Sequence, residues 1–210
     1  MSKIVVLGAG ISGHTAAAHL RRKLSKEHEV LVVSPNRNYQ WVPSNIWVGI
    51  GRMKSKEVIF PLEPLYKRKG IGYKQAKAIS FHPEGDSSEA KPYILVEGVF
   101  GDNLGKQEKV SYDYLINATG PKLAFDMTEG LQPATNKVYS VCTYDHAEHA
   151  SEALHKLIDQ LKKSDKKAKI LIGTGHAKAT CQGAAFEYIL NVEKELQKFG
   201  VRDKAEITWI

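Results

Sequence analysis

Lys3-Ile4-Val5-Val6-Leu7-Gly8-Ala9-Gly10-Ile11-Ser12-Gly13 decides the fold. An unbroken apolar run reads as a buried parallel strand. A strand that runs straight into G-x-G-x-x-G and then into an alanine-rich segment opens a βαβ nucleotide-binding unit. Each glycine has its own task. Gly8 permits the tight turn, Gly10 lets backbone approach a pyrophosphate, and Gly13 lets the following helix lie against the strand. The turn Gly8-Ala9-Gly10-Ile11-Ser12-Gly13 thereby offers free N–H groups and the positive end of a helix dipole to phosphates. The helix is expected from Gly13 to about Ser25, with Ala16, Ala17 and Leu20 inward, and Glu29-Val30-Leu31-Val32-Val33 is the second strand.

An acidic residue commonly ends the second strand of such a unit and holds the ribose hydroxyls. Ser34 stands there, followed by Pro35 and Asn36. Serine and asparagine can bond ribose, but without a charge.

Further along, Ser34 to Lys56 is a long loop with Trp41, Pro43 and Trp47, and loops of that length in a compact domain usually serve function. Pro61 to Lys69 reads as a short helix and Ile71 to Ala76 as a strand. Ile79 to Phe81, Tyr93 to Val99 and Lys109 to Tyr112 form an antiparallel excursion turned by Gly101-Asp102-Asn103-Leu104-Gly105. A strand over Asp113 to Asn117 ends in Ala118-Thr119-Gly120. Asp145 is the expected N-cap of an amphipathic helix reaching about Lys163.

A second strand and turn follow in Lys169-Ile170-Leu171-Ile172-Gly173-Thr174-Gly175, with a helix expected over 178–199 and Cys181 within it. The third glycine position is Lys178: either its long side chain obstructs the usual close packing of helix on strand, or it is a surface lysine in a rearranged turn. Glu206 to Ile210 begins another strand. A Rossmann half needs several parallel strands to bury its faces, so the chain is expected to be the N-terminal part of something longer.

Composition sets outer bounds. The chain has 210 residues, 42% hydrophobic and 25% charged, which is ordinary for a globular protein. No apolar run has the length of a membrane span. A strand beginning at Lys3 leaves no room for a cleavable signal peptide, so the chain itself is expected to be soluble. Two cysteines make no disulfide framework, and no metal site is expected. The net charge of +7 includes Lys162-Lys163-Ser164-Asp165-Lys166-Lys167. No aromatic residues interleave with these lysines, so they read as a solvated loop and not as a nucleic-acid surface.

Four segments carry a resemblance to a known family. These are Val42-Pro43-Ser44-Asn45-Ile46-Trp47-Val48-Gly49, Tyr112 through Phe125 with its Asn117-Ala118-Thr119-Gly120-Pro121, Val141-Cys142-Thr143-Tyr144-Asp145-His146-Ala147, and Cys181-Gln182-Gly183-Ala184-Ala185-Phe186-Glu187-Tyr188. Together they resemble the sulfide:quinone oxidoreductases, of the flavoprotein disulfide reductase-like superfamily. The resemblance implies an α/β protein: a Rossmann-like FAD-binding domain with an antiparallel excursion over residues 1–144, and the truncated start of a second Rossmann-like domain over 145–210.

It also implies sites. Gly8 to Gly13 would cradle the FAD pyrophosphate, Ser34, Pro35 and Asn36 would lie by the ribose, and the Ala78 backbone by the adenine. Pro43, Ser44 and Asn45 would approach the flavin end, as would Ala118, Thr119 and Gly120. Cys181 matches a redox-active cysteine beside the flavin, Cys142 an auxiliary one, and His146 a histidine near the sulfide channel; a plain helix-start histidine is the alternative there. In such enzymes sulfide attacks a sulfur bridge between two cysteines, giving a persulfide and a free thiolate, and electrons pass through FAD to a quinone. A helix N-terminus favours the thiolate such chemistry needs. The missing half would complete both folds and meet quinone and membrane surface, making the full-length protein peripheral to a membrane. This chain alone is then expected to be inactive and to hold FAD poorly or not at all.

Three other readings stand beside this one. A single-subunit NADH:quinone dehydrogenase shares the two-domain plan but needs a working NADH turn at Gly173. The flavin subunit of a flavocytochrome c sulfide dehydrogenase has related cysteines but is exported, against which the missing leader speaks. A non-catalytic interaction module built on the flavin fold is the third. Tyr39, Trp41 and Trp47 read equally well as core packing.

Overall fold

A computed structural model describes residues 1–132, 138–176 and 178–210. Along the chain the elements are β1 (Lys3–Leu7), α1 (Ile11–Lys23), β2 (Glu29–Ser34), β3 (Asn38–Gln40), α2 (Asn45–Gly49), α3 (Ser55–Val58), β4 (Ile59–Pro61), α4 (Leu62–Lys69), β5 (Gly72–His82), β6 (Tyr93–Gly98), β7 (Gln107–Ser111), β8 (Tyr114–Asn117), α5 (Tyr144–Lys162), β9 (Ala168–Ile172), α6 (Gln182–Lys198) and β10 (Ala205–Trp209).

Packing divides the chain into two compact units: Met1–Gln40 with Phe60–Lys122, and Trp41–Ile59 with Leu123–Ile210. The expected division at 144/145 follows chain order, whereas these units interleave. The reason is hydrophobic: Val48 of α2 and Ile50 just after it, in the stretch 34–56 that was expected to be loop, are buried in clusters with Ala147, Leu154 and Ile158 of α5.

The first unit is built on one sheet of order β7-β6-β5-β2-β1-β8. The strands β5, β2, β1 and β8 are mutually parallel, and β6 and β7 add antiparallel. Alternate residues serve opposite faces. Val6, Val30 and Val32 pack with Ala17 of α1 and with Leu62 and Tyr66 of α4. Val5, Leu7, Leu31 and Val33 join Ala76, Ile94, Val96 and Val110 on the other side. Burial on both faces explains why β1 and β2 lack hydrophobic alternation. In chain order the parallel strands lie third-second-first-fourth, so the strand order reverses between β1 and β8. Open α/β sheets bind ligands outside the carboxyl ends of the strands at that reversal.

Several expectations shift. Helix α1 begins at Ile11, with Gly10 as N-cap. The strands expected over 71–76 and 79–81 are one strand, β5, whose register slips between Ala78 and Ser80 at a bulge. Thr143, not Asp145, is the N-cap of α5. Helix α6 begins at Gln182, later than 178, because Cys181 takes a left-handed backbone conformation that cannot continue a right-handed helix.

In the second unit, β9 and β10 pair in parallel. Leu154, Ile158 and Leu161 of α5 meet Val192 and Leu196 of α6, Ile172 of β9 and Ala205 of β10. The inward residues of α5, Ala147, Ala150, Leu154, Ile158 and Leu161, recur at helical spacing. Among the described residues no helix is long and apolar enough to cross a membrane.

Candidate functional site

The carboxyl ends of β1 and β8 bring two of the expected cofactor segments together. Gly8 has φ +103°, and a Cβ there would overlap the Ala118 carbonyl oxygen and lie 3.1 Å from Thr119 Cα. A Cβ on Gly13 would overlap the Gly8 carbonyl oxygen and lie 3.3 Å from Ala118 Cβ. Backbone bonds complete the interlock: Gly8 N–H donates to Val33 C=O at 2.8 Å and Ala118 N–H to Leu7 C=O at 2.7 Å. Glycine is required at these two positions by the protein's own backbone.

Gly10 differs. Nothing lies within 4 Å of where its Cβ would stand. It is the N-cap of the 13-residue α1, no side chain caps that end, and the first turn holds no acidic residue. The turn therefore presents uncapped N–H groups and open space, which fits a pyrophosphate.

Ser34 ends β2, buried, and its Oγ accepts the Asn36 N–H at 3.3 Å. Strand β5 steadies this corner, with Tyr73 Oη donating to the Asn36 carbonyl and Gln75 Nε2 to that of Pro35. Ala78 lies further along β5, opposite Val96 at the bulge.

The other expected residues belong to the second unit. Pro43 and Ser44 form a single 3-10 turn that leads into α2, whose first residue, Asn45, is buried. Cys142 is exposed, and its N–H donates to Ser140 Oγ at 3.1 Å. His146 lies in the first turn of α5 with its ring edge-on to Phe125, centroids 5.5 Å apart. Its Nδ1 is buried without a hydrogen-bond partner among the described residues. Cys181 is exposed at the N-cap of the 17-residue α6, at φ 66° and ψ 40°. Among the described residues it alone has positive φ without being glycine. An L-residue held there costs roughly 1–2 kcal/mol, and such strain gathers at functional positions.

The second glycine turn repeats the first at one position and departs from it at another. Gly173 lies against the Ile210 carbonyl as Gly8 lies against that of Ala118, whereas Leu131 Cδ2 would stand 2.7 Å from a Cβ on Gly175, where Gly10 has open space. Thr128 Oγ1 donates to Gly175 C=O at 3.2 Å, and the Lys178 N–H donates to His176 Nδ1 at 3.0 Å. Lys178 is exposed in a rearranged turn ahead of α6, so it does not obstruct helix–strand packing as its spacing suggested.

Residues 2–185 match the pyridine nucleotide-disulphide oxidoreductase family. The chain belongs to that family. It is 28% identical over 207 residues to a sulfide-quinone reductase of Aquifex aeolicus, covering 99% of this chain and 42% of the relative. It is 28% identical over 176 residues to a type II NADH:quinone oxidoreductase of Haemophilus influenzae, covering 82% of this chain and 38% of the relative. The solved structure of the sulfide:quinone oxidoreductase from Aquifex aeolicus superimposes with a TM-score of 0.77 at 26% identity, over 100% of this chain and 43% of that one. The chain thus spans about two-fifths of the length of these relatives.

The second unit also has contacts that the sequence did not announce. Arg52, just beyond the Pro43–Asn45 segment, pairs with the buried Glu195 of α6. Tyr188 Oη donates to Gly49 C=O at 3.1 Å. A Cβ on Gly49 would stand 2.7 Å from Val141 Cγ1, and one on Gly51, at φ +77°, 2.6 Å from His155 Cε1. The close spacing of Gly49 and Gly51 was the one available signal.

Proposed function

We propose that this chain supplies the nucleotide-cradling and thiol-bearing part of a sulfide:quinone oxidoreductase, which oxidises sulfide to polysulfide or sulfur and reduces a membrane quinone. The observation that carries the reading is the segment from Gly173 to Cys181. Its Gly175 is covered by Leu131 and bonded by Thr128, where Gly10 of the first turn is open, and the segment ends in an exposed cysteine at a helix N-terminus. A thiol there serves as the point of electron entry in place of a reduced pyridine nucleotide, which disfavours the NADH-dependent alternative.

FAD, when bound, supplies a ring system that accepts two electrons. Gly8, Ala9, Gly10, Ile11, Ser12 and Gly13 would hold its pyrophosphate through backbone N–H groups. Ser34, Pro35 and Asn36 would flank the ribose, and Ala78 the adenine. Pro43, Ser44 and Asn45, with Ala118, Thr119 and Gly120, would bound the flavin end. We read 1–144 as the FAD-binding portion and 145–210 as the start of a second dinucleotide-type domain.

Cys181 supplies one sulfur of a bridge to a second cysteine. Sulfide attacks the bridge, one S–S bond forms as the other breaks, and the displaced cysteine leaves as a thiolate. We assign His146, whose Nδ1 has no hydrogen-bond partner among the described residues, to the sulfide channel, and Cys142 to an auxiliary thiol. We assign quinone and membrane contacts to the remaining length of the relatives, and expect the 210 residues alone to turn over no sulfide.

The test uses the full-length protein, meaning this chain with the remainder that brings it to the length of its relatives. Sulfide-dependent quinone reduction is measured before and after Cys181→Ser. Loss of turnover by two orders of magnitude or more is expected for removal of a covalent participant. Retained activity removes Cys181 from the chemistry.

A further inference from the structure

We infer that Asn117 both sets the Thr119–Gly120 turn and presents a hydrogen-bond donor to the dinucleotide held beside it. The inference rests on the flavin-binding reading above and adds a residue to it. Asn117 is the last residue of β8, in register with Leu7, the residue before the Gly8 turn. Its Oδ1 accepts two hydrogen bonds from Thr119, from the backbone N–H at 3.3 Å and from Oγ1 at 3.0 Å.

The arrangement reassigns roles. A backbone N–H can only donate, so the amide atom facing it is the oxygen, and Nδ2 is necessarily the other end of the group. Thr119 commits both of its hydrogens to Asn117. Its N–H and hydroxyl hydrogen are therefore not offered to a ligand, although the family resemblance made it the expected contact. Asn117 and Thr119 are exposed, and no group among the described residues receives Nδ2. The neighbouring Ala118 carbonyl lies where a Cβ on Gly8 would strike. The uncommitted Nδ2 donors thus stand at the same strand ends as the pyrophosphate cradle, on a side chain whose other end is fixed. An Asx-type turn of this kind holds its loop at little entropic expense.

Two substitutions in the full-length protein separate the roles. Asn117→Asp keeps both acceptor bonds from Thr119 and replaces the donor with a carboxylate oxygen. Asn117→Leu removes both. Hydrogen exchange at Thr119 is measured in the flavin-free protein, and FAD affinity by quenching of flavin fluorescence. Asn117→Asp is expected to leave Thr119 exchange at the wild-type rate and to weaken FAD about tenfold or more, the worth of one hydrogen bond to a charged group. Asn117→Leu is expected to speed Thr119 exchange about tenfold and to weaken FAD as well. Wild-type affinity in Asn117→Asp overturns the donor role, and unchanged exchange in Asn117→Leu overturns the positioning role. Failure of the wild type to take up FAD defeats the flavin reading and the donor role with it, while the exchange rates still decide the positioning role.

Discussion

The guanidinium of Arg52 pairs with the carboxylate of Glu195, a residue 143 positions later and only 1% exposed. Lys198 adds a weaker contact to the same carboxylate at 3.6 Å. Arg52 follows the 3-10 turn and the short helix α2 that carry Pro43, Ser44 and Asn45, and Glu195 belongs to the helix that starts after Cys181. One ion pair thus ties the loop expected at the flavin end to the helix expected to carry the thiol, within a single packing unit.

Glu195 is buried whereas the Arg52 side chain is 38% exposed. Arg52→Ala strands the buried carboxylate and is expected to lower stability by about 3 kcal/mol. Glu195→Ala leaves a guanidinium that water can reach and should cost less. Both losses are read as lower midpoints in urea unfolding.

The glycines make a sharper contrast. Gly13→Ala drives a Cβ into the Gly8 carbonyl and should unfold the first unit or lower its melting temperature severely. Gly10→Ala meets open space and an ordinary backbone, φ −71° and ψ −170°, so the melting temperature should stay within a few degrees of wild type. The same methyl occupies the cradle, so FAD affinity of the full-length protein should fall at least tenfold. Calorimetry with and without FAD checks both halves.

How much of this was legible in the chain depends on the range of the interaction. Val5, Val6, Val32 and Val33 announced a doubly covered parallel sheet, because burial on both faces leaves a continuous apolar run. Strand β5 was read as two pieces because a bulge at Ala78 to Ser80 breaks its alternation. The interleaved units were not legible, since nothing in Val48 or Ile50 says which helix will cover them. The left-handed conformation of Cys181 had no signal either, because the usual marker of that region is glycine or asparagine. Asn117 was passed over for Thr119, since a family resemblance does not show that the threonine has spent its donors on its neighbour.

Acid should weaken the first unit through His14. Its ring lies among Tyr39, Phe60 and Tyr66, with centroids 5.0, 5.8 and 5.6 Å away, and Nδ1 is 3.1 Å from Tyr66 Oη. Burial, and then the nearby Lys69 cation, lower its pKa below the ordinary 6.5. The unfolded chain therefore binds the proton more readily. Stability is complete above about pH 6.5, falls as the pH drops through that value, and levels off below the folded-state pKa. Urea midpoints at about pH 7.5 and 5 should differ in the wild type, and the difference should shrink in His14→Phe.

The antiparallel excursion carries its own acid-sensitive lock. The Asp86 carboxylate accepts from Lys109 Nζ, Tyr93 Oη, the Ser88 hydroxyl and the N–H groups of Ser88 and Glu89. Lys109 first, then Tyr93 and Ser88, hold this carboxyl well below the usual range. Its contribution is present above the ordinary carboxylate pKa of about 3.9 and is lost as pH falls below it. Asp86→Asn should therefore be less stable than wild type at neutral pH, with a gap that narrows in acid. Hydrogen exchange over 82–93 should report the loosening locally.

The central claim is that electrons enter through a thiol and not through a pyridine nucleotide. Anaerobic addition of sulfide, and separately of NADH, to the flavin-loaded full-length protein measures this directly through the visible flavin absorbance. Rapid bleaching by sulfide that is lost in Cys181→Ser is expected, with none by NADH. Bleaching by NADH together with indifference to sulfide would contradict it.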